Sequence, residues 1–145
     1  MESTNIEKPY VVGVDIGGTN TVFGIVDARG NIISSAAIKT VGSKTVEEYV
    51  DKLCENLLPL IKAQGGIEKI KGIGIGAPNG NFYKGTIEFA PNLPWKGVII
   101  PLASMIEEKL GIPTALTNDA NAAAVGEMTY GVARGMKDFI MLTLG

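Results

Sequence analysis

Apolar residues in this chain come first as unbroken runs and later at helical spacing. Tyr10-Val11-Val12-Gly13-Val14, closed by Asp15, suits a strand buried on both faces. Thr21 to Val26 predicts a second strand, Asp27-Ala28-Arg29-Gly30-Asn31 a turn, and Ile32 to Lys39 a third strand. Connections this short favour an antiparallel meander. Thr45 and Glu48 then make a T-x-x-E capping box, and Val46, Tyr49, Val50, Leu53, Leu57, Leu60 and Ile61 come after it at helical spacing. Gly65-Gly66 stops that helix, and Pro59, which has no amide to donate, is expected to kink or shorten its last turns.

Ile70 to Ile75 predicts a fourth strand, and the Gly-, Pro- and Asn-rich stretch from Gly76 to Trp95 a small hairpin and a loop. Pro101 reads as an early residue of a second helix with Leu102, Ile106 and Leu110 as its buried stripe and Gly111 as its stop. Ile112 to Thr117 predicts a fifth strand, Asn118-Asp119 opens an Ala-rich helix ending near Gly131, and Asp138 to Leu144 begins one more strand. The order βββαβαβαβ predicts an α/β domain: a mixed sheet of five to six strands, the first antiparallel, flanked by helices. Ligands of such sheets gather beyond the carboxyl ends of the parallel strands. Asp15, Gly76 to Asn79 and Asn118-Asp119 all fall at predicted strand ends.

Composition narrows the chemistry. The 145 residues fit one domain with a real core, and at 46% hydrophobic and 19% charged the chain is globular in type. A net charge of −2 with scattered basic residues gives no support for nucleic acid or a membrane surface as partner. Met1-Glu2-Ser3-Thr4-Asn5 is polar and acidic, unlike a signal peptide, and no apolar run has the length of a membrane span. The single cysteine, Cys54, permits no internal disulfide, so the cytoplasm is the expected location. Cys54 flanks the helical stripe and reads as packing. Without histidine, the chain by itself has no common His/Cys zinc site, no Ser-His-Asp triad and no Cys-His pair. Carboxylates, amides, hydroxyls, lysines and backbone groups remain.

Asp15-Ile16-Gly17-Gly18-Thr19-Asn20 joins the first two strands by a tight turn. Gly17 and Gly18 remove side chains that would keep a ligand from the backbone, so amides can face phosphate oxygens, with Thr19 and Asn20 as added donors. Asp15 would repel a phosphate and is suited to hold Mg²⁺ through water. A plain β-turn with a buried aspartate bonded to backbone amides is the alternative. Asn118-Asp119, between strand and helix, reads either as an N-cap or as a general base for a sugar hydroxyl attacking a γ-phosphate. Asn79 in Gly76-Ala77-Pro78-Asn79-Gly80 and Asn92 in Pro91-Asn92-Leu93-Pro94-Trp95 read either as turn residues or as amides that bind sugar hydroxyls. Trp95 could line the sugar or fill the core. Gly72-Ile73-Gly74-Ile75-Gly76 is not G-x-G-x-x-G, with Pro78 where a dinucleotide fold needs a helix start, and no P-loop motif occurs.

Taken together, Val12 to Asn20, Gly74-Ile75-Gly76-Ala77-Pro78, Pro91 to Trp95 and Asn118-Asp119-Ala120-Asn121-Ala122-Ala123 resemble the ROK (repressor, open reading frame, kinase) family, and most of all its glucokinases of Bacteroides type. The resemblance runs from Tyr10 to Gly145. It implies a ribonuclease H-like/actin-like ATPase fold, with two lobes closing on sugar and Mg-ATP. By residue, it implies Asp119 as catalytic base, Asn118 and Asn92 as sugar ligands, and Asp15 to Asn20 as the first phosphate loop. Pro78-Asn79 departs from the usual G-x-P-G form, which weakens the sugar contact assigned to Asn79. Members continue into a second phosphate loop, a sugar-contacting Glu and His, a cysteine-rich structural zinc motif and a nucleotide lobe. Residues 1–145 are therefore expected to be the N-terminal, sugar-binding lobe of a longer protein, inactive alone, whose parent is a homo-oligomer. The implied activity is ATP-dependent phosphorylation of a hexose, glucose first, with N-acetylmannosamine, allose and fructose as alternatives. A sugar-sensing repressor on the same fold is the rival; such repressors carry an N-terminal helix-turn-helix, and nine residues precede the first strand here. A structural actin-like protein would have no need of Asn92 and Asn118-Asp119.

Overall fold

A computed structural model describes residues 8–27, 29, 31–77, 80–81, 84–88 and 99–117. Strands β1 (Tyr10–Ile16), β2 (Asn20–Val26) and β3 (Ile32–Lys39) come first, then helix α1 (Val46–Ala63), a short 3-10 turn (Ile67–Lys69) and β4 (Ile70–Gly76). After these come β5 (Gly80–Asn81), β6 (Thr86–Glu88), β7 (Ile99–Ile100), helix α2 (Leu102–Leu110) and β8 (Thr114–Thr117).

Five strands form the main sheet in the order β3-β2-β1-β4-β8. β1–β2 and β2–β3 are antiparallel, whereas β1–β4 and β4–β8 are parallel, so the sheet is mixed as expected. The expected hairpin is present as β5–β6, and β7 joins it to make a second, three-stranded antiparallel sheet. β7 was invisible to periodicity because two residues carry no alternation to read.

The two faces of the main sheet differ because side chains alternate along each strand. Val12, Val14 and Ile16, Phe23 and Ile25, Ile73 and Ile75, and Leu116 share one face and one core cluster with Tyr49, Leu53, Leu57 and Ile61 of α1 and Leu102, Ile106 and Leu110 of α2. The opposite face carries a small second cluster of Val11, Val22 and Val26 beside a floor of small residues. One row crosses all five strands in register as Ser35, Gly24, Gly13, Gly74 and Ala115. The Gly72-Ile73-Gly74-Ile75-Gly76 pattern is thus a strand whose isoleucines fill the core and whose glycines keep the other face flat. Cys54 is buried in the core, and burial pushes its thiol up to about 11, which suits packing rather than reactivity.

At the start of α1, the Thr45 hydroxyl accepts from the Glu48 amide at 3.1 Å, and Glu48 Oε1 accepts from the Lys44 amide at 3.2 Å. The helix runs through Pro59 to Ala63, so the proline does not shorten its last turn. Pro59 and Glu55, whose carbonyl loses its intrahelical donor, both lie on the exposed side, where water can meet that carbonyl. Pro101 is the N-cap of α2, not its first helical residue, and Gly111 ends the helix at φ 71° with its amide on the Glu107 carbonyl. β8 begins two residues later than the apolar run suggests. Ile112 is drawn into the core at 1% exposure, and the ladder starts where the Ile73 amide donates to the Pro113 carbonyl at 2.9 Å. The Ala-rich helix at 118–131 and the strand at 138–144 lie outside the described residues.

The capping box yields a direct expectation. Thr45→Ala should lower stability by about 1 kcal/mol in urea unfolding, because the Glu48 amide then loses its acceptor; an unchanged midpoint would mean that the box is dispensable.

Candidate active site

β1, β4 and β8 run parallel, so their carboxyl ends share one edge of the sheet. Asp15 pairs with Gly76 and Gly76 with Thr117, which sets the three strand ends side by side. The convergence expected from the sequence holds at the level of the strands. Asn79, Asn92, Trp95, Asn118 and Asp119 lie outside the described residues, as does Pro78. What the structure builds at this edge is Asp15 and the turn after it.

Gly17, Gly18 and Thr19 connect β1 to β2, and their geometry is set by the ladder on either side. The Gly17 amide donates to the Asn20 carbonyl at 2.9 Å, and the Thr40 amide donates to the Thr19 carbonyl at 2.8 Å. Both carbonyls are thereby tied to the protein. Among the described residues, no acceptor meets the amides of Gly18 and Thr19. Thr19 and Asn20 are exposed and the two glycines half-buried, so the turn shows the Gly18 and Thr19 amides toward solvent while the Thr19 and Asn20 carbonyls are occupied. That polarity suits an anion. A Cβ on Gly17 would stand 3.0 Å from the Asn20 carbonyl oxygen, so the close return of the chain requires glycine there.

Asp15 sits one residue before the end of β1, on the small-residue face, in the row Ala37, Val22, Asp15, Gly76, Thr117. Burial alone raises its carboxyl above the usual aspartate value; no hydrogen bond or ion pair among the described residues offsets it. The aspartate satisfied by backbone amides, the alternative left open by the sequence, is therefore not what these residues form. Among the described residues no group of three His, Cys, Asp or Glu could hold a metal. A single half-buried carboxylate suits Mg²⁺, which keeps several waters and shares itself between one or two carboxylates and phosphate oxygens. Gly18 and Thr19 amides, with the Thr19 and Asn20 side chains, fit the phosphate tail of a nucleotide.

Beneath the turn lies a feature that the sequence pattern does not announce. Thr21, Thr40 and Tyr49 are each fully buried, and their hydroxyls form one cluster: Thr21 Oγ1 is 2.8 Å from Thr40 Oγ1 and 2.6 Å from Tyr49 Oη. The available signal was a threonine sharing the inward face of β2 with Phe23 and Ile25, opposite a tyrosine on the apolar stripe of α1.

The sequence profile of the ROK family matches residues 11–145. The chain belongs to the ROK family. As a ROK chain it is 40% identical over 135 residues to a glucokinase of Streptomyces coelicolor, an alignment covering 92% of this chain and 40% of that protein. It is 34% identical over 148 residues to a xylose repressor of Caldicellulosiruptor bescii, covering 97% of this chain and 35% of the repressor. Its fold superposes with TM-score 0.65 on a ROK glucokinase of Streptomyces griseus crystallised with glucose and AMPPNP, at 36% identity, covering 84% of this chain and 37% of that one. The fold is that of the actin-like ATPase kinases of the family. The ROK chain thus spans about two fifths of the length of the glucokinases it matches. No helix among the described residues is long and apolar enough to cross a membrane.

The Asp15 carboxylate, which has no partner among the described residues, makes a pH-dependent prediction. With a raised folded-state value, Asp15 favours folding most when protonated, and its burial penalty is fully present above that value. Asp15→Asn should therefore raise the urea midpoint at pH 7, with the gain shrinking as pH falls through the raised value toward the ordinary aspartate range. A variant less stable than the parent at pH 7 would mark Asp15 as a structural anchor.

Proposed function

We propose that this chain is the sugar- and phosphate-binding lobe of an ATP-dependent hexokinase that phosphorylates glucose at its 6-hydroxyl. The observation that carries the reading is the β1–β2 turn: its Thr19 and Asn20 carbonyls are tied to protein amides, its Gly18 and Thr19 amides meet no acceptor among the described residues, and the half-buried Asp15 stands beside it. The glucokinases among its relatives support the choice of substrate, and their greater length supports a second lobe supplied by further sequence.

ATP supplies the transferable γ-phosphoryl group, and Mg²⁺ neutralises its charge. Gly18 and Thr19 hold phosphate oxygens through their amides and Thr19 and Asn20 through their side chains, while Gly17 allows the tight return of the chain. Asp15 would hold the cation through water. Asn118, Asn92 and Asn79 bind sugar hydroxyls, each amide offering both donor and acceptor. Asp119 takes the proton of the 6-hydroxyl as its oxygen bonds to the γ-phosphorus and the bond to ADP breaks. Positioning and charge neutralisation carry most of such a rate, so the protein has little else to provide.

A sugar-responsive repressor is the second reading, favoured by the xylose repressor likeness. A coupled assay on the full-length protein with ATP and a hexose panel separates the two. The kinase reading expects turnover with glucose, and Asp119→Asn should cost at least about 10²-fold in kcat with sugar affinity far less affected. Glucose binding without turnover favours the repressor, and an Asp119→Asn variant within threefold of the parent removes that residue from the base role.

A further inference from the structure

The three buried hydroxyls do more than fill space. Thr21 opens the inward face of β2, where valine would match its shape, so the hydroxyl is present for its bonds. Buried hydroxyls are costly unless paired, and here one oxygen serves two partners from different elements. Tyr49 belongs to the first turn of α1, which the Thr45–Glu48–Lys44 box already fixes. Thr40 comes directly after β3, and the same residue that meets Thr21 through its side chain gives its amide to the Thr19 carbonyl. A continuous path therefore runs from α1 through Tyr49, Thr21 and Thr40 to the backbone of the turn. Burial pushes the Tyr49 phenol far up, so it stays protonated across physiological pH.

We propose that Thr21, Thr40 and Tyr49 are positioning residues: a buried hydroxyl clamp that ties the Gly17–Asn20 turn to the N-terminus of α1 and thereby holds the Gly18 and Thr19 amides in place for phosphate. This rests on the phosphate-loop reading of the proposed function and adds what sets its geometry. The clamp touches no ligand. It acts by keeping the Thr19 carbonyl bound to the Thr40 amide; when that bond opens, the carbonyl is free to swing toward the phosphates and the amides away from them. Because the cluster spans α1, β2 and the residue after β3, loosening any one hydroxyl loosens the turn.

Two measurements on the full-length protein test it: affinity for Mg²⁺ with a non-hydrolysable ATP analogue by calorimetry, and hydrogen exchange of peptides spanning the turn. Thr21→Val and Tyr49→Phe remove hydroxyls while keeping shape, and Thr21→Ser keeps the hydroxyl. Each of the first two should weaken nucleotide binding roughly 3- to 10-fold, the range of one or two lost hydrogen bonds, and speed exchange in the turn. Glucose affinity should stay within twofold, and Thr21→Ser should restore nucleotide binding to within twofold. Asp15→Ala serves as the control. If Asp15→Ala and the clamp variants all leave nucleotide affinity unchanged, the phosphate-loop reading fails and the clamp with it. If Asp15→Ala weakens binding and the clamp variants do not, the clamp alone is wrong. Equal weakening for glucose and nucleotide, with lowered melting temperature, makes the cluster a core feature and overturns the positioning role. Should Thr21→Val not fold, Tyr49→Phe decides by the same criteria.

Discussion

β1 is paired on both sides in opposite senses, antiparallel to β2 and parallel to β4, and the site depends on that arrangement. The antiparallel side forces the chain to reverse within Gly17, Gly18 and Thr19, which crowds the Gly17 position against the Asn20 carbonyl and brings backbone polar groups to the edge. The parallel side aligns the ends of β4 and β8 with that reversal, so the segments leaving all three strands start from one line. Asp15 stands where the two demands meet. Its carboxylate is drawn into a half-buried place by the ladder, and burial raises its pKa, with no partner among the described residues to offset it. A charge held at such a cost is a familiar mark of a functional group.

A polar turn must also be held, and backbone ladders alone leave it free to rock. Carbonyl and amide dipoles alternate along a chain, so a turn presents donors to a ligand only if its acceptors are occupied elsewhere. The Gly17 and Thr40 amides perform that service here, and the hydroxyl cluster beneath them links it to the helix that packs under the sheet. Fold stability and the geometry of the turn thus share the same few bonds.

Much of this was legible in the sequence because it depends on local pattern. Continuous apolar runs located β1, β2 and β4, the capping box located α1, and Gly111 located the end of α2. The glycine turn was readable because only a narrow set of residues permits so tight a return. Elsewhere tertiary context prevailed over local rule: Pro59 is tolerated because its helix face is exposed, and Ile112 is apolar for the core rather than for a strand. The hydroxyl cluster was illegible because its members are separated by 19 and 28 positions and each alone passes for ordinary core or strand. The resemblance that named Asn79, Asn92, Asn118 and Asp119 reaches further than the described residues, which contain the Gly17–Asn20 turn, Asp15 and the strands leading to the rest.

The central claim is that the Gly17–Asn20 turn receives phosphate through its own amides. Backbone NMR of the protein titrated with Mg²⁺ and a non-hydrolysable ATP analogue tests it most directly. The account predicts that the Gly18 and Thr19 amide protons move downfield, as they do on gaining an anionic acceptor, and become protected from exchange at saturation. Saturating nucleotide that leaves both amides unmoved while shifts gather elsewhere in the chain would contradict it.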